Sequence, residues 1–298
     1  MMFVPKAFSN RIIHVHGEHG RLWLNNLNEL ISFAEERWKL QVLAPFNLSF
    51  NYVAPVIFQD GTKGVLKIIC SGAACVNELS ALKACGEVMC RVIDHHADRG
   101  IILLERLTPG VNLKSIADDA EAVRIAASVI RKMKNRKLFS LTTFPTIADR
   151  ALGISDLRKH FKGRAGPFSE KVIEKVEASF RDLIATQKDI YFLHGDFHHE
   201  NILHHHGEWK LIDPKGLIGE MEYEITTFLI NNIPDRDCGR AIENRISLFA
   251  KELNANAERI YRWGLCHSLL AAWWNAEDNL GVSDTDLAMI AYFNNKVL

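Results

Sequence analysis

Short runs of apolar residues, each about the length of a β-strand, dominate the first hundred residues of the chain. The pattern predicts strands at Val42–Tyr52, Val56–Gln59, Val65–Cys70, Val88–Ile93 and Ile101–Glu105. The segment Asp60–Gly64 separates two of these runs with a strong turn signal. Apolar residues at helical spacing predict one helix around Leu27–Trp38, before the strands, and a second over Ala73–Cys85. We therefore predict a small sheet with two helices in this part of the chain.

After residue 105 the apolar positions recur with the helical period of 3.6 residues. This spacing predicts helices over Val123–Met133, over Val172–Leu183 with Ser169 as N-cap, over Ile260–Trp274 and over Leu287–Val297. Within this helical part, two short strand-like runs, Asn201–Leu203 and Trp209–Ile212, flank a turn at Gly207. The layout predicts an α+β fold with an N-terminal lobe at residues 1–104 and a mainly helical lobe at 105–298.

The net charge of the chain argues against two classes of binding partner, nucleic acids and anionic membranes. The 298 residues carry 36 Lys and Arg against 36 Asp and Glu, a net charge of zero. Proteins that attach to nucleic acid or anionic membranes through broad electrostatics are normally more basic, so neither partner is expected. The start, Met1–Ile13, lacks the pattern of a signal peptide, and the six cysteines show no C-x-x-C spacing. We expect a cytoplasmic protein with reduced thiols.

The residues that point to chemistry lie in Tyr191–Leu203 and Trp209–Gly216. Asp196 and Asn201 are five residues apart around a loop that enters a strand, and Asp213 ends the next strand of the same hairpin. We expect the three oxygen-bearing side chains to converge. Phosphoryl transfer requires a carboxylate that orients the attacking hydroxyl and hard oxygen ligands that hold Mg²⁺ against the triphosphate. Asp196 is then the catalytic base, and Asn201 and Asp213 are the metal ligands.

The same residues make the sequence similar to a known family. His194-Gly195-Asp196 followed by Asn201, and then Ile212-Asp213, resembles the signature of the aminoglycoside phosphotransferase family, which has a bilobal protein-kinase-like fold. Ile212–Gly216 and the late segment Ala271–Asp278 resemble the streptomycin 6-phosphotransferase and hydroxyurea phosphotransferase branch. With the lysine-bearing strand, the resemblance covers most of residues 40–280.

The resemblance implies a nucleotide site in the N-terminal lobe. Lys67, in the apolar strand Val65–Ile69, would hold the α- and β-phosphates of ATP, and Glu78 would pair with it. Backbone groups near Glu105 and Leu107 would bind adenine. The chain departs from protein kinases because Phe46–Gln59 contains no glycine. Asn47–Asn51 is then the covering turn, and the choice between ATP and GTP stays open.

The acceptor site is less defined by the sequence. Streptomycin-like acceptors are cationic, so carboxylates would favour their binding. Glu277 and Asp278, with Trp273 as a flat apolar surface, are the substrate-binding candidates, and Trp274 offers a second aromatic ring. Further carboxylates follow the metal-binding acid, at Glu220, Glu222 and Glu224. Lys215 would neutralise charge on the transferred phosphoryl group or face water.

The resulting hypothesis is a kinase that depends on ATP and Mg²⁺ and phosphorylates a hydroxyl of a small-molecule acceptor, streptomycin or a related compound. Hydroxyurea, an amino alcohol or a sugar is the alternative acceptor within the same fold. A non-catalytic, nucleotide-binding pseudokinase is a different class. The run of histidines at His194, His198, His199 and His204–His206 also raises a zinc metallohydrolase. The sequence leaves open whether the protein is a monomer or a homodimer.

Overall fold

The structure of the chain is a computed structural model, and it describes residues 4–134, 144–234, 237–278 and 280–297. In chain order the helices and strands are α1 (Lys6–Trp38), β1 (Leu40–Val42), β2 (Tyr52–Phe58), β3 (Lys63–Ile68), α2 (Gly72–Ala84), β4 (Val92–His96), β5 (Ile101–Glu105), β6 (Pro109–Asn112), α3 (Asp119–Lys134), α4 (Ile147–His160), α5 (Glu170–Ala185), β7 (Tyr191–Leu193), β8 (Ile202–His205), β9 (Glu208–Leu211), β10 (Leu217–Gly219), α6 (Met221–Ile230), α7 (Cys238–Leu253), α8 (Ala257–Glu277) and α9 (Asp284–Lys296).

Spatial contacts divide the chain into two units. The first contains Met1–Gly110 and His204–Lys215, and the second contains Val111–Leu203 and Gly216–Leu298. The hairpin around Gly207 thus returns the chain to the first unit for twelve residues before the second unit resumes. The division into lobes at 1–104 and 105–298 stays a prediction.

The first unit is built on a five-stranded antiparallel sheet in the order β1-β2-β3-β5-β4. Side chains alternate between the two faces of a strand, so Leu66 and Ile68 lie on one face of β3 and Lys67 lies on the other. Leu66 and Ile68 join a buried apolar cluster with residues of α1, among them Trp23 and Leu27. This packing covers one face of the sheet, and Lys67 lies on the other face.

The strand predictions for this unit are partly confirmed. β5 occupies the predicted residues, whereas the predicted single strand Val42–Tyr52 is wrong. The chain leaves β1 at Val42 and enters β2 at Tyr52, and the backbone between them bends. Pro45 removes a backbone donor, and asparagines favour turns, so this run cannot continue as a strand. The strand predicted at Val88–Ile93 starts later, at Val92, after a 3₁₀ turn at Gly86–Val88.

The second unit is mainly helical. The predicted helical stripes are confirmed in α3, α5, α8 and α9, while α4, α6 and α7 were not predicted. The side chain of Arg245 on α7 is fully buried and binds Asp119 and the carbonyl oxygens of Phe228 and Asn231. A charged group buried in this way requires such partners, and it ties the end of α6 to α3 and α7. Among the described residues, no helix is long and apolar enough to cross a membrane.

Candidate active site

Lys67 forms a buried ion-pair cluster in the first unit. Its Nζ donates to Glu78 Oε1 at 2.6 Å, to Glu78 Oε2 at 2.7 Å and to Asp213 Oδ1 at 2.6 Å. The lysine is only 4% exposed and the glutamate 6%. Three of the residues predicted for the site, distant in sequence, are therefore brought together by this unit.

Burial and charge together set the ionisation of this cluster. Burial alone would raise the pKa of Asp213, but the positive charges of Lys67 and Lys215 outweigh it and hold that pKa well below its ordinary value. Burial likewise opposes the charge on Lys67, and the charges of Asp213 and Glu78 reverse this and raise the pKa of Lys67. Burial raises the pKa of Glu78, and the attraction of Lys67 offsets this only in part. Lys67 and Asp213 thus stay charged across the ordinary pH range.

Backbone contacts position Asp213 beside the sheet. The N–H of Cys90 donates to the carbonyl of Leu211 at 2.8 Å, which fixes the end of β9. Asp213 itself has a φ of 59°, so the chain turns sharply at the acid. Lys215 Nζ donates to Asp213 Oδ1 at 3.2 Å, and Asn77 on α2 donates to the carbonyl of Lys215. Lys215 is therefore held near the acid rather than directed only to water.

Glu105 and Leu107, the two residues predicted at the adenine site, differ in whether their backbone groups already have hydrogen-bond partners. The N–H of Glu105 donates to the carbonyl oxygen of Arg91 at 2.9 Å, and the carboxylate of Glu105 accepts a hydrogen bond from Lys210 Nζ at 2.6 Å. Leu107 lies two residues beyond the end of β5, and its side chain is buried. Within the described residues, neither backbone polar group of Leu107 has a hydrogen bond to another backbone group. Its backbone thus keeps the donor and acceptor that an adenine edge requires.

The predicted catalytic loop, His194–Asp196, lies in the second unit directly after β7. The buried carboxylate of Glu224 accepts the N–H of His194 at 2.6 Å and the N–H of Gly195 at 3.1 Å. The N–H of Asp196 donates to Nδ1 of His194 at 3.3 Å. Through this last contact His194 braces the loop. Gly195 has a φ of 78°, a conformation that favours glycine.

The carbonyl oxygens of the same three residues are hydrogen-bonded too. In chain order they accept from the N–H of Gly216 at 3.1 Å, from Arg150 Nη2 at 2.8 Å and from Asn201 Nδ2 at 2.9 Å. Every backbone polar group of the loop then has a partner, which is the normal requirement for buried backbone. The loop that carries the predicted base is therefore held in one conformation.

Glu224 is the most strongly perturbed acid that touches this loop. Burial raises the pKa of Glu224 to about 7, although the N–H groups of Gly195 and His194 oppose the rise. The sequence suggested Glu220, Glu222 and Glu224 as acceptor-binding carboxylates. The structure gives each of them an internal partner instead: Arg259 for Glu220, the N–H of Asn256 for Glu222, and the catalytic loop for Glu224.

Asn201 is oriented by Asp196 and His198. Its Nδ2 lies 2.9 Å from the carbonyl oxygen of Asp196, 3.4 Å from Asp196 Oδ2 and 3.0 Å from His198 Nε2. These contacts fix the amide so that Oδ1 has no hydrogen-bond partner among the described residues. Mg²⁺ prefers oxygen ligands, so Asn201 Oδ1 and the ionised Asp213 fit the predicted metal by chemistry. Asp196 and Asn201 belong to the second unit and Asp213 to the first, so convergence of all three stays a prediction.

The residues proposed for the acceptor lie at the end of α8. Trp273 is only 2% exposed and packs edge-on against His160 and Phe161, which is a core position. Glu277 is exposed in the last turn, and Asp278 is the C-cap of the helix. The neighbouring Trp274 is half-buried beside the guanidinium of Arg150, 5.5 Å from its ring centre. Of the two tryptophans, only Trp274 therefore connects to the catalytic loop.

Two residues that bind the backbone of this loop, Arg150 and Glu224, were not recognised from the sequence. Arg150 lies on a helix that was not predicted, and Glu224 was assigned to the acceptor rather than to the loop. Neither belongs to a local motif, because each meets the loop only through the tertiary fold, 45 and 29 residues from Gly195. Two of the histidines in the run have structural contacts: His205 Nδ1 accepts the N–H of Thr108 at 3.0 Å, and the ring of His199 stacks on Phe228.

Comparisons with known proteins agree with this arrangement. The family described as aminoglycoside/hydroxyurea antibiotic resistance kinase has a model that matches residues 37–279. Streptomycin 6-kinase of Streptomyces griseus is 27% identical over 290 residues, which cover 93% of this chain and 92% of that protein. Hydroxyurea phosphotransferase of Kitasatospora aureofaciens is 26% identical over 280 residues, covering 92% of this chain and 81% of that protein.

Solved structures show the fold. A thermostable mutant of aminoglycoside phosphotransferase APH(4)-Ia, in a ternary complex with ADP and hygromycin B, has a TM-score of 0.65 at 13% identity and covers 89% of this chain and 96% of that chain. The α+β, protein-kinase-like fold predicted from the sequence is confirmed.

Proposed function

The chain belongs to the aminoglycoside/hydroxyurea antibiotic resistance kinase family and is a phosphotransferase that acts on a hydroxyl group, and we propose that its donor is ATP and its acceptor streptomycin or a related aminoglycoside. The near full-length match to a streptomycin 6-kinase supports this acceptor over the others in the family. The pseudokinase alternative is not favoured, because the charged residues that the chemistry requires are intact.

The observation that carries the proposal is Lys67, buried and charged between Glu78 and Asp213. These two carboxylates compensate for the cost of burying the ammonium group and hold it in place on the sheet. In the proposed reaction Lys67 binds the α- and β-phosphates of ATP, and Glu78 keeps it in place. The backbone of Leu107 binds the adenine edge.

The catalytic loop supplies the second part of the proposal. Asp196 orients the acceptor hydroxyl and accepts its proton as the hydroxyl oxygen bonds to the γ-phosphorus of ATP and the bond from that phosphorus to the departing ADP breaks. Asn201 and Asp213 would hold Mg²⁺, which supplies positive charge on the phosphate oxygens when it is bound. Little covalent chemistry is required of the protein, so rate depends on how accurately these side chains are held.

An acceptor panel tests the proposal. The purified protein is incubated with Mg-ATP and, separately, with streptomycin, hygromycin B, hydroxyurea and choline, and mass spectrometry detects the gain of one phosphoryl group. We expect streptomycin to have the highest kcat/KM. Phosphorylation of another compound with streptomycin untouched, or ADP release without any phosphorylated product, would contradict the proposed acceptor.

A further inference from the structure

Arg150 connects α4, a helix distant in sequence, to the catalytic loop. It lies in the first turn of α4 and is half-buried, and its Nη2 donates to the carbonyl oxygen of Gly195 at 2.8 Å. Its Nη1 donates to the hydroxyl of the buried Tyr223 at 3.3 Å. The guanidinium therefore reaches the residue directly before Asp196 from a helix that begins about fifty residues earlier in the chain.

The bond to Gly195 fixes one peptide plane. That plane joins the carbonyl of Gly195 to the N–H of Asp196, and the N–H end is held by Nδ1 of His194 at 3.3 Å. Glycine permits this plane to rotate more freely than any other residue, and Gly195 has a positive φ of 78°. Rotation of the plane would turn the Cα–Cβ bond of Asp196 and redirect its carboxylate.

The contacts of Arg150 are not those of an arginine held by an ion pair. Among the described residues, no carboxylate lies within ion-pair distance of Arg150, whereas Arg158 on the same helix binds Glu170 and Glu177. The ring centres of Tyr223 and Trp274 lie 5.7 Å and 5.5 Å from the guanidinium carbon. Tyr223 in turn contacts His267 at 3.4 Å, which stays neutral because burial and Arg150 lower its pKa to about 3.

In the part of the chain that the structure describes, the Gly195 carbonyl is therefore the one strong acceptor of the guanidinium, since the Tyr223 hydroxyl is a neutral group at 3.3 Å. Hydrogen bonds from a charged donor are stronger than neutral ones, so this contact is suited to holding a peptide plane.

We propose that Arg150 is a positioning residue of the phosphotransferase: by holding the Gly195 carbonyl, it aims the carboxylate of Asp196 at the acceptor hydroxyl. The inference rests on the proposed function, since Asp196 is the proposed base. A group that aims the base acts on the chemical step and leaves the binding of ATP unchanged. A misplacement of the base by a fraction of an ångström lowers kcat without weakening substrate binding.

The test compares Arg150→Met and Arg150→Lys with Arg158→Met, which removes a guanidinium from the same helix but away from the loop. We expect Arg150→Met to lower kcat by about 10- to 100-fold while the KM for ATP changes by less than about twofold. Arg150→Lys retains a donor and should recover part of kcat. Arg158→Met should match the wild type.

Hydrogen exchange of the free protein provides a readout that does not need turnover. We expect the amides of the Leu193–Phe197 peptide to exchange faster in Arg150→Met than in the wild type and in Arg158→Met. If the wild type does not phosphorylate streptomycin, the proposed acceptor fails, and this exchange experiment still decides whether Arg150 holds the loop.

Three results would overturn the inference. The first is a folded Arg150→Met with kcat within about twofold of the wild type. The second is a rise in the acceptor KM alone, which would make Arg150 an acceptor-binding residue. The third is unchanged exchange of the loop.

Discussion

The chemistry proposed for the first unit depends on Lys67, a lysine whose side chain is buried. A buried ammonium group loses its hydration, and only close carboxylates can compensate for that loss. Lys67 has two, Glu78 and Asp213, both within 2.7 Å. Because they sit 11 and 146 residues away in sequence, the cluster forms only when α2 and the end of β9 pack on the same face of the sheet.

Removing the ammonium group should damage both stability and activity. In Lys67→Met the buried Glu78 carboxylate loses its cation, while the partly exposed Asp213 retains Lys215, so we expect the free energy of unfolding to fall by about 3 kcal/mol. We also expect kcat/KM for ATP to fall by at least about 100-fold. Chemical denaturation and steady-state kinetics measure the two effects.

Lys63 provides the matched control for this substitution. It lies on the same strand but is exposed, so Lys63→Met should leave both quantities close to those of the wild type. Equal effects of the two substitutions would contradict the role of Lys67.

Glu224 should make stability depend on pH. Burial raises its pKa from 4.5 to about 7, so the folded protein keeps a proton that the unfolded chain has already lost between these values. As pH rises from 5 to 8, this group should lower the free energy of unfolding by on the order of 3 kcal/mol. Glu224→Gln resembles the protonated acid and should lack this slope.

Denaturation of the wild type and of Glu224→Gln at a series of pH values measures the difference in slope. Parallel curves for the two proteins would show that Glu224 does not titrate in this range.

Local motifs account for the residues that the sequence predicted. Asp196, Asn201 and Asp213 occur in a pattern whose spacing predicts phosphoryl transfer, and the resemblance to the kinase family added Lys67 and Glu78. Arg150 and Glu224 act through backbone groups of other segments, and no spacing in the sequence records such a contact. Trp273 and Trp274 show the same limit, because adjacent positions on a helix face different directions and the sequence does not say which one meets the core.

At the scale of elements, α4 carries Arg150, and a capping box fixes its start. The Thr146 hydroxyl accepts the N–H of Asp149 at 3.2 Å, and the Asp149 carboxylate accepts the N–H of Thr146 at 2.7 Å. Ser169, at the start of α5, makes no such side-chain bond. The two N-caps are therefore a natural pair for comparison.

Thr146→Ala should lower the free energy of unfolding by about 1 kcal/mol, because it leaves N–H groups at the start of α4 without an acceptor. Ser169→Ala should change it by less than about 0.5 kcal/mol, since there is no cap bond to lose. Urea denaturation of both variants measures the difference, and equal losses would show that the capping box does not stabilise the helix.

The helices that were predicted well have one buried face, as the apolar stripes of α3 and α5 show. β5 was predicted for a different reason: it is a short apolar run that is buried on both faces. α6 was missed because most of its residues are buried, which removes the contrast between apolar and polar faces. The loop between β1 and β2 was read as a strand because apolar Leu48 and Phe50 alternate with polar residues there.

At the scale of the whole molecule, the sequence established the fold class through the catalytic motif and its resemblance rather than through the order of elements. It did not predict that His204–Lys215 joins the first unit, because contacts between distant segments decide this. The sequence also predicts the acceptor site poorly. The carboxylates that it suggested there, Glu220, Glu222 and Glu224, all bind other groups of the protein.

Binding of the nucleotide should stabilise the whole protein. A ligand that binds only the folded state at 100 times its Kd adds about 2.7 kcal/mol to the free energy of unfolding. We expect Mg-ATP to raise the thermal unfolding midpoint of the wild type and to have little effect on Lys67→Met. Differential scanning fluorimetry measures both, and an equal shift in the two proteins would place the nucleotide away from Lys67.

The central claim is that Asp196 is the base of a phosphoryl transfer to streptomycin, and the most direct measurement is the turnover of Asp196→Asn. Asp189→Asn, an exposed substitution just before β7, is the control. The account predicts that Asp196→Asn keeps the Mg-ATP thermal shift of the wild type but loses at least about 100-fold in kcat, whereas Asp189→Asn retains full turnover. Undiminished phosphorylation of streptomycin by Asp196→Asn would contradict it.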